Sequence, residues 1–171
     1  DAFGYSVAID GDTTVVGAIF GNNYKGATYV FRTTDGGATY IEVAKLIASD
    51  AASGSGDYFG SSVAIDGNTV VVGAYGAGTG GAVYVYRTTD GGATYVEVAK
   101  LTAADAAAGD MFGISVAIDG NTIVVGAYHD DDGGSDSGSA YVFLTTDGGA
   151  TYGQVAKLTA SDAAANDYFG R

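Results

Sequence analysis

The sequence predicts an all-β fold in which three repeated units each form a β-propeller blade of four antiparallel strands. The first observation is a repeated landmark, Phe-Gly-x-Ser-Val-Ala-Ile-Asp-Gly, which begins at Phe3, Phe59 and Phe112, while a fourth Phe-Gly begins at Phe169. The second is the presence of 29 Gly and no Pro among 171 residues, with most glycines at repeated turn positions. The third is that each unit, about 55 residues long, contains two hairpins.

The first hairpin of repeat 1 is predicted from a short apolar run, a turn signal and a second apolar run. Residues 6–9 form the first predicted strand, Asp10-Gly11 the two-residue turn and Thr13–Ala18 the return strand. Asp-Gly is favoured in a type I′ turn, which needs positive φ at both central residues. Because both strands are almost wholly apolar, we expect them on the inner side of a blade.

The second hairpin follows a loop of variable length. Ala27–Arg32 is rich in β-formers, residues 35–37 (Asp-Gly-Gly) turn the chain, and residues 40–46 run back. These strands carry charged side chains, which suit the outer part of a blade. The following Ala-, Ser- and Gly-rich run lacks helical periodicity and is predicted to link repeats. The boundaries are therefore 3–58, 59–111 and 112–168, with 169–171 starting a further repeat. A β-solenoid or β-sandwich built from the same hairpins is the alternative.

Composition and charge exclude several classes of function. Twenty acidic and seven basic side chains give a net charge of −13, which disfavours binding to nucleic acids or anionic membranes. An apolar content of 47% excludes a disordered polyanion, and the lack of Cys excludes disulfides and thiol chemistry. No apolar run is long enough for a membrane-spanning helix, and the start of the chain lacks signal-peptide character, so we expect a mature or excised chain.

Each repeat pairs its Phe-Gly with a downstream Gly-Ala, and this pairing resembles the FG-GAP repeat of integrin α-subunit propellers and many cell-surface proteins. The motif residues are Phe3, Gly4, Gly17 and Ala18 in repeat 1, Phe59, Gly60, Gly73 and Ala74 in repeat 2, and Phe112, Gly113, Gly126 and Ala127 in repeat 3. The resemblance covers the whole chain. It implies a β-propeller that acts outside the cell in adhesion or recognition.

Two departures from the family pattern concern a proline and calcium. The Pro that follows Gly-Ala in the family is replaced by Ile19, Tyr75 and Tyr128. The first hairpins carry only tight Asp-Gly-Asp or Asp-Gly-Asn turns, whose one or two carboxylates cannot supply the six to eight oxygens that Ca²⁺ takes. The chain therefore resembles the shorter, calcium-free branch of the family.

Three blades are too few for the closed propellers of four to eight blades, and an open arc would expose apolar sheet faces. We therefore expect either part of a larger propeller or two chains that pair into a six-bladed ring. The phase of the two ends also suits an excised or engineered fragment whose main property is self-assembly.

Two sets of side chains are candidates for binding. The acidic loop of repeat 3 offers Asp130, Asp132 and Asp136 as ligands for a weakly bound Ca²⁺, and the alternative is a solvated acidic loop. Tyrosines in or beside the variable loops, Tyr24, Tyr75 and Tyr128, are candidates for contact with a sugar or a protein partner.

The function predicted from these features is a non-enzymatic module for extracellular adhesion, recognition or assembly, located outside the cell or at its surface. A carbohydrate-binding propeller is the alternative. An enzyme is disfavoured because His129 is the only histidine, and because the only glutamates, Glu42 and Glu97, stand at equivalent sites of different blades.

Overall fold

The computed structural model describes residues 1–21, 25–51 and 56–171, and these form twelve β-strands in three antiparallel sheets of four. Blade 1 contains β1 (Phe3–Asp10), β2 (Thr13–Ala18), β3 (Ala27–Arg32) and β4 (Ile41–Leu46); blade 2 contains β5 (Ser62–Asp66), β6 (Thr69–Ala74), β7 (Ala82–Arg87) and β8 (Val96–Leu101); blade 3 contains β9 (Ser115–Asp119), β10 (Thr122–Ala127), β11 (Ser139–Leu144) and β12 (Gly153–Leu158). Strands pair in sequence order within each blade, which confirms the predicted all-β architecture of propeller blades. In the described part of the chain, no helix has the length and apolar character needed to cross a membrane.

The predicted turn of the first hairpin was wrong in its type and position. The strand pairing ends at Asp10 opposite Thr13, so the two loop residues are Gly11 and Asp12. Only Gly11 has a positive φ, 52°, and Gly67 and Gly120 repeat this pattern in the other blades. This matches a type II′ turn, which needs Gly at its first central position alone, whereas type I′ needs positive φ at both.

The turn between the third and fourth strands is built around one carboxylate. In blade 1, Asp35 accepts hydrogen bonds from the Thr39 hydroxyl (2.6 Å) and amide (2.9 Å), and from the Thr33 hydroxyl (2.7 Å). The Thr39 hydroxyl is the largest cause that holds the pKa of Asp35 well below its usual range. Asp90 and Asp147 repeat the arrangement, which explains why Thr-Thr-Asp-Gly-Gly-Ala-Thr recurs in every unit.

The blades lie side by side, with their first strands β1, β5 and β9 adjacent, and two apolar clusters fill the seams between them. We call the side of a blade that bears the motif Phe its front face, and the opposite side its back face. In the first seam, Val15 and Val30 from the back of blade 1 meet Phe59, Val72 and Tyr84 from the front of blade 2. The second seam repeats this packing between blades 2 and 3.

The Phe-Gly and Gly-Ala motifs join one blade to the next through contacts of their backbone atoms. Phe59 forms a parallel bridge with Gly26 of blade 1, and the Gly60 amide donates to the Gly73 carbonyl (3.0 Å). The Gly60 carbonyl in turn accepts from the Ser6 hydroxyl of blade 1 (2.7 Å). Phe59-Gly60 and Phe112-Gly113 therefore each contact two blades at once, and their rings are buried in the seams.

Candidate functional site

The residue just before each motif Phe turns the linker toward the end of the blades where the loops between the second and third strands lie. Tyr58, Met111 and Tyr168 all adopt positive φ, at 55°, 58° and 54°. A bulky side chain rarely takes this left-handed conformation. Its recurrence at one position of the repeat directs Tyr58 and Tyr168 to the same end of the molecule as the residues that follow Gly-Ala.

Aromatic side chains gather at this end. The rings of Tyr58 and Tyr75 stack with their centroids 4.8 Å apart and an interplanar angle of 15°, and Phe20 meets Tyr58 edge-on at 6.1 Å. Burial raises the pKa of Tyr75, and the nearby hydroxyls of Tyr5, Tyr58 and Tyr128 add to this effect. Aromatic residues from all three blades thus contribute to the electrostatic environment of Tyr75.

A second group of rings continues the arrangement on blade 3. Tyr128 lies 4.1 Å from His129 and 5.8 Å from Tyr168, between ring centroids, and the Arg171 guanidinium lies 5.6 Å from the centre of the Tyr128 ring. Asp136 is 3.5 Å from Nδ1 of His129. We define the aromatic surface as Tyr5, Phe20, Tyr58, Tyr75, Tyr128, His129 and Tyr168. Its members range from half-buried to 53% exposed at Tyr5.

Sequence reasoning identified part of this surface. Tyr75 and Tyr128 lie in it, whereas Tyr24 lies outside the described residues. Tyr58 and Tyr168 were missed, although both directly precede a motif Phe. That shared position in the repeat was the signal that could have placed them together.

The acidic loop of blade 3 brings its carboxylates together around a cation of the protein itself. The ammonium of Lys157 contacts Asp105 (2.7 Å), Asp130 (2.9 Å) and Asp132 (2.5 Å). Burial opposes the charge of Lys157, but the hydrogen bonds to these carboxylates outweigh it and raise the pKa of the ammonium. Of the predicted calcium ligands, Asp130 and Asp132 thus face Lys157, while Asp136 lies beside His129 instead.

Asp130 is the centre of this cluster and is 4% exposed. One of its oxygens accepts from the Ser139 hydroxyl (2.8 Å), and the other accepts from the Tyr141 hydroxyl (2.8 Å) and from Lys157. Burial tends to raise the pKa of Asp130, but these hydrogen bonds, led by that from Lys157, lower it. Asp105, from the linker after blade 2, was not predicted as a member. A Ca²⁺ ion bound here would have to displace the Lys157 ammonium.

The three sheets and their seams define the chain as a protein of the β-propeller class. The family model named FG-GAP repeat matches residues 1–31, 40–86, 95–143 and 152–171, which together are most of the chain. The chain belongs to the FG-GAP repeat family, as the sequence motifs predicted. A propeller of this family supports a role as a protein-interaction or recognition module.

Comparison with solved structures supports the fold, and 77 chains match. One is Saccharomyces cerevisiae Sqt1, with a TM-score of 0.58 and 12% identity over 95% of this chain. The chain spans only about a third of Sqt1, 36% of its length, and at this identity the likeness concerns the fold alone. No curated protein sequence matches the chain.

Proposed function

We propose that the chain is a non-enzymatic recognition module that acts in adhesion outside the cell or at its surface and binds its partner through the aromatic surface. The observation that carries this proposal is the stacked pair Tyr58 and Tyr75, which lies at the same end of the blades as the rings of Tyr128 and Tyr168. Tyrosine combines a large apolar ring with a hydroxyl, and aromatic residues are enriched at the centres of protein interfaces.

The state of the acidic cluster supports a binding role over a catalytic one. A general acid or base works best with a pKa near the operating pH. The pKa values of Asp105 and Asp130 are lowered and that of Lys157 is raised, so all three remain charged at neutral pH. We interpret the cluster as an ion-pair network that holds the blade 3 loop beside the aromatic surface.

Membership of a family found in integrin α propellers and other cell-surface proteins supports the extracellular location, and so does the net charge of −13, which disfavours nucleic-acid partners. An antibody raised against the chain should label intact source cells or their medium. Labelling that appears only after the cells are permeabilised would contradict this part of the proposal.

Binding is tested with a panel of immobilised extracellular-matrix proteins and the purified chain. Replacing both Tyr75 and Tyr128 by Ala should weaken any saturable binding by about tenfold or more, because hot-spot residues contribute about 2 kcal/mol or more. Val96→Ala is the control: Val96 is 63% exposed at the start of β8 in the middle blade, outside both the aromatic surface and the open faces of blades 1 and 3. Equal loss in both variants, or no binding to any member of the panel, would contradict the proposal.

Carbohydrate binding is the second candidate, favoured by polar groups beside the blade 3 rings. The Tyr168 hydroxyl donates to Asn166 (3.2 Å), and Asp136 and Arg171 flank His129 and Tyr128. Half-buried rings bordered by such groups suit a sugar, which stacks its apolar face on a ring and hydrogen-bonds through its hydroxyls. A glycan array probed with the wild-type chain and with Tyr168→Ala tests this candidate. Silence across the array at high protein concentration would exclude it.

A further inference from the structure

Among the residues that the structure describes, no blade packs against the front face of blade 1, although the residues of this face match those buried in the seams. Phe3 is 57% exposed, whereas its equivalents Phe59 and Phe112 are 1% and 0% exposed. Val7 is 68% exposed, and its equivalent Val63 is 9% exposed. These side chains border an open depression of about 460 Å³ that Phe3, Thr14, Val16, Phe31 and Tyr40 line.

The back face of blade 3 is the matching half of the same seam. Leu158 is 43% exposed, whereas its equivalents Leu46 and Leu101 are 3% and 4% exposed within the two internal seams. Val155 is 60% exposed, while its equivalent Val98 packs against the second seam. The two ends of the chain thus present the two sides of one apolar contact.

Polar groups also form matching pairs across the internal seams, and the two halves of such a pair are present at the open faces. In the first seam, Asp50 accepts from Lys100 (2.5 Å) and from the Tyr84 hydroxyl (2.7 Å). In the second seam, Asp105 accepts in the same way from Lys157 (2.7 Å) and from the Tyr141 hydroxyl (2.9 Å). At the open ends the corresponding residues are Asp162 behind blade 3 and Lys45 with Tyr29 on blade 1.

Two further pairs complete this correspondence. Asp10 accepts a hydrogen bond from the Gly67 amide of the next blade (2.6 Å), and Asp66 accepts one from the Gly120 amide (2.5 Å). The equivalent carboxylate on blade 3 is Asp119, and the equivalent amide on blade 1 is that of Gly11. The Ser49 amide and hydroxyl donate to Glu97 at 2.9 and 2.7 Å. The corresponding residues at the open ends are Ser161 on blade 3 and Glu42 on blade 1.

We propose that a second copy of the chain covers both open faces, so that the back of blade 3 in each copy packs on the front of blade 1 in the other. The contact joins two different surfaces, and it closes because each copy supplies both of them. Each new seam then contains the pair Asp162 and Lys45, together with Asp119 at the amide of Gly11. The product is a ring of six blades.

Closure requires one exchange at the chain's end. Phe169 bridges Gly138, and the Ser115 hydroxyl donates to the Gly170 carbonyl (2.7 Å), as Ser6 does to Gly60 in the first seam. Phe169 and Gly170 therefore occupy a position on blade 3. In the proposed ring, Phe3 and Gly4 of the second copy would occupy that same position. We infer that the incoming Phe-Gly replaces the chain's own, and that Phe169→Ala favours the pairing.

The first test is the mass in solution, measured by light scattering over a range of concentrations. The wild-type chain should approach twice the 17.0 kDa of one copy. Val7→Asp should remain at 17.0 kDa with an unchanged circular dichroism spectrum, because Val7 is exposed in a single copy. A wild-type chain that stays at 17.0 kDa at every concentration, or a Val7→Asp variant that pairs as tightly as the wild type, would overturn the proposal.

Charge reversal separates the specific contact from general repulsion between acidic chains. Lys45→Asp makes the chain more negative and Asp162→Lys makes it less negative, so general repulsion predicts opposite effects on pairing. The proposed pair predicts that each reversal weakens pairing about tenfold or more, and that the double variant regains it. Opposite effects, or no recovery in the double variant, would refute the contact. Tyr75→Ala should pair normally, which keeps this inference separate from binding at the aromatic surface.

Discussion

Replacing Gly73 by Ala tests whether the Gly-Ala half of the motif exists to let two blades approach through their backbones. A Cβ atom built on Gly73 would overlap the carbonyl oxygen of Gly113 and the hydroxyl of Ser62, and would lie 3.0 Å from the Gly113 carbonyl carbon. Two of these three atoms are backbone atoms of the blade 3 motif. They cannot turn aside as the end of a flexible side chain could.

The cost of the substitution has two parts. Overpacking of a tightly packed contact costs about 1–3 kcal/mol. The hydrogen bond from the Ser62 hydroxyl to the Gly113 carbonyl, 2.8 Å long, passes through the space that the methyl group would take, and its loss costs about 1 kcal/mol. The free energy of unfolding should therefore fall by about 2–4 kcal/mol. For a chain of this size the melting temperature should drop by about 4–16 °C.

Gly153→Ala is the matched control. Gly153 also lies in a strand, β12, its φ is not positive, and a Cβ atom there would meet nothing within 4 Å. Its replacement should leave the stability unchanged or raise it by about 0.4–1 kcal/mol, because Ala restricts the unfolded chain. Thermal melts followed by circular dichroism compare the two variants. If Gly73→Ala has the same melting temperature as Gly153→Ala, the explanation of the motif by close approach of the backbones is refuted.

Four further variants test the polar network, and the free energy of unfolding of each is measured by chemical unfolding. Lys157→Met should lower the free energy of unfolding by about 1–3 kcal/mol, because it leaves three carboxylates without their cation; Lys100→Met, which loses one half-exposed pair, should cost less than about 1 kcal/mol. The pKa of Asp90 is lowered, mainly by the Thr hydroxyl of its turn, so its contribution is present above the unfolded value of 3.8 and is lost as the pH falls through the folded value. Asp90→Asn should therefore make the loss of stability between about pH 5 and about pH 2 shallower, and an unchanged slope would contradict this. Tyr86→Phe removes a hydroxyl that donates to a carbonyl at 2.7 Å and to a carboxylate at 3.1 Å, and it should lower the free energy of unfolding by about 0.5–1.5 kcal/mol. Phe143, at the equivalent position in the second seam, shows that the ring alone fits there, so a larger loss would contradict this expectation.

Local elements of the fold could be predicted because each depends on neighbouring residues. The strands Thr13–Ala18 and Ala27–Arg32 coincide with their predicted bounds, since apolar runs flanked by Gly turns define them. β1 begins at Phe3, earlier than predicted, because Phe3 pairs with Ala18 across an irregularity in the ladder. That pairing depends on how the Phe-Gly and Gly-Ala residues of the motif pack together, and a run of apolar residues in the sequence does not predict this packing.

Contacts between repeats were harder to predict because they join a residue at one position of a repeat to a residue at a different position of the next repeat. Asp50 lies in the run that was predicted to link repeats, yet its partners, Lys100 and Tyr84, come from the following blade. The repeat held the information, since Asp, Lys and Tyr recur at the same positions in every unit. Only the side-by-side arrangement of the blades shows which copy of Asp meets which copy of Lys.

One difference between the repeats distinguishes the internal seams from a seam between copies. Arg32 reaches over the next blade's turn, where a Cβ atom on Gly92 would come within 2.7 Å of its guanidinium, and Arg87 donates to the Gly148 carbonyl of blade 3. The equivalent residue of blade 3 is Leu144, which is 37% exposed and cannot donate a hydrogen bond. A seam between two copies would thus have the apolar contact and the Asp–Lys pair but lack the guanidinium. Because it would have fewer hydrogen bonds than the internal seams, the proposed ring would separate into its two chains before the blades of either chain come apart.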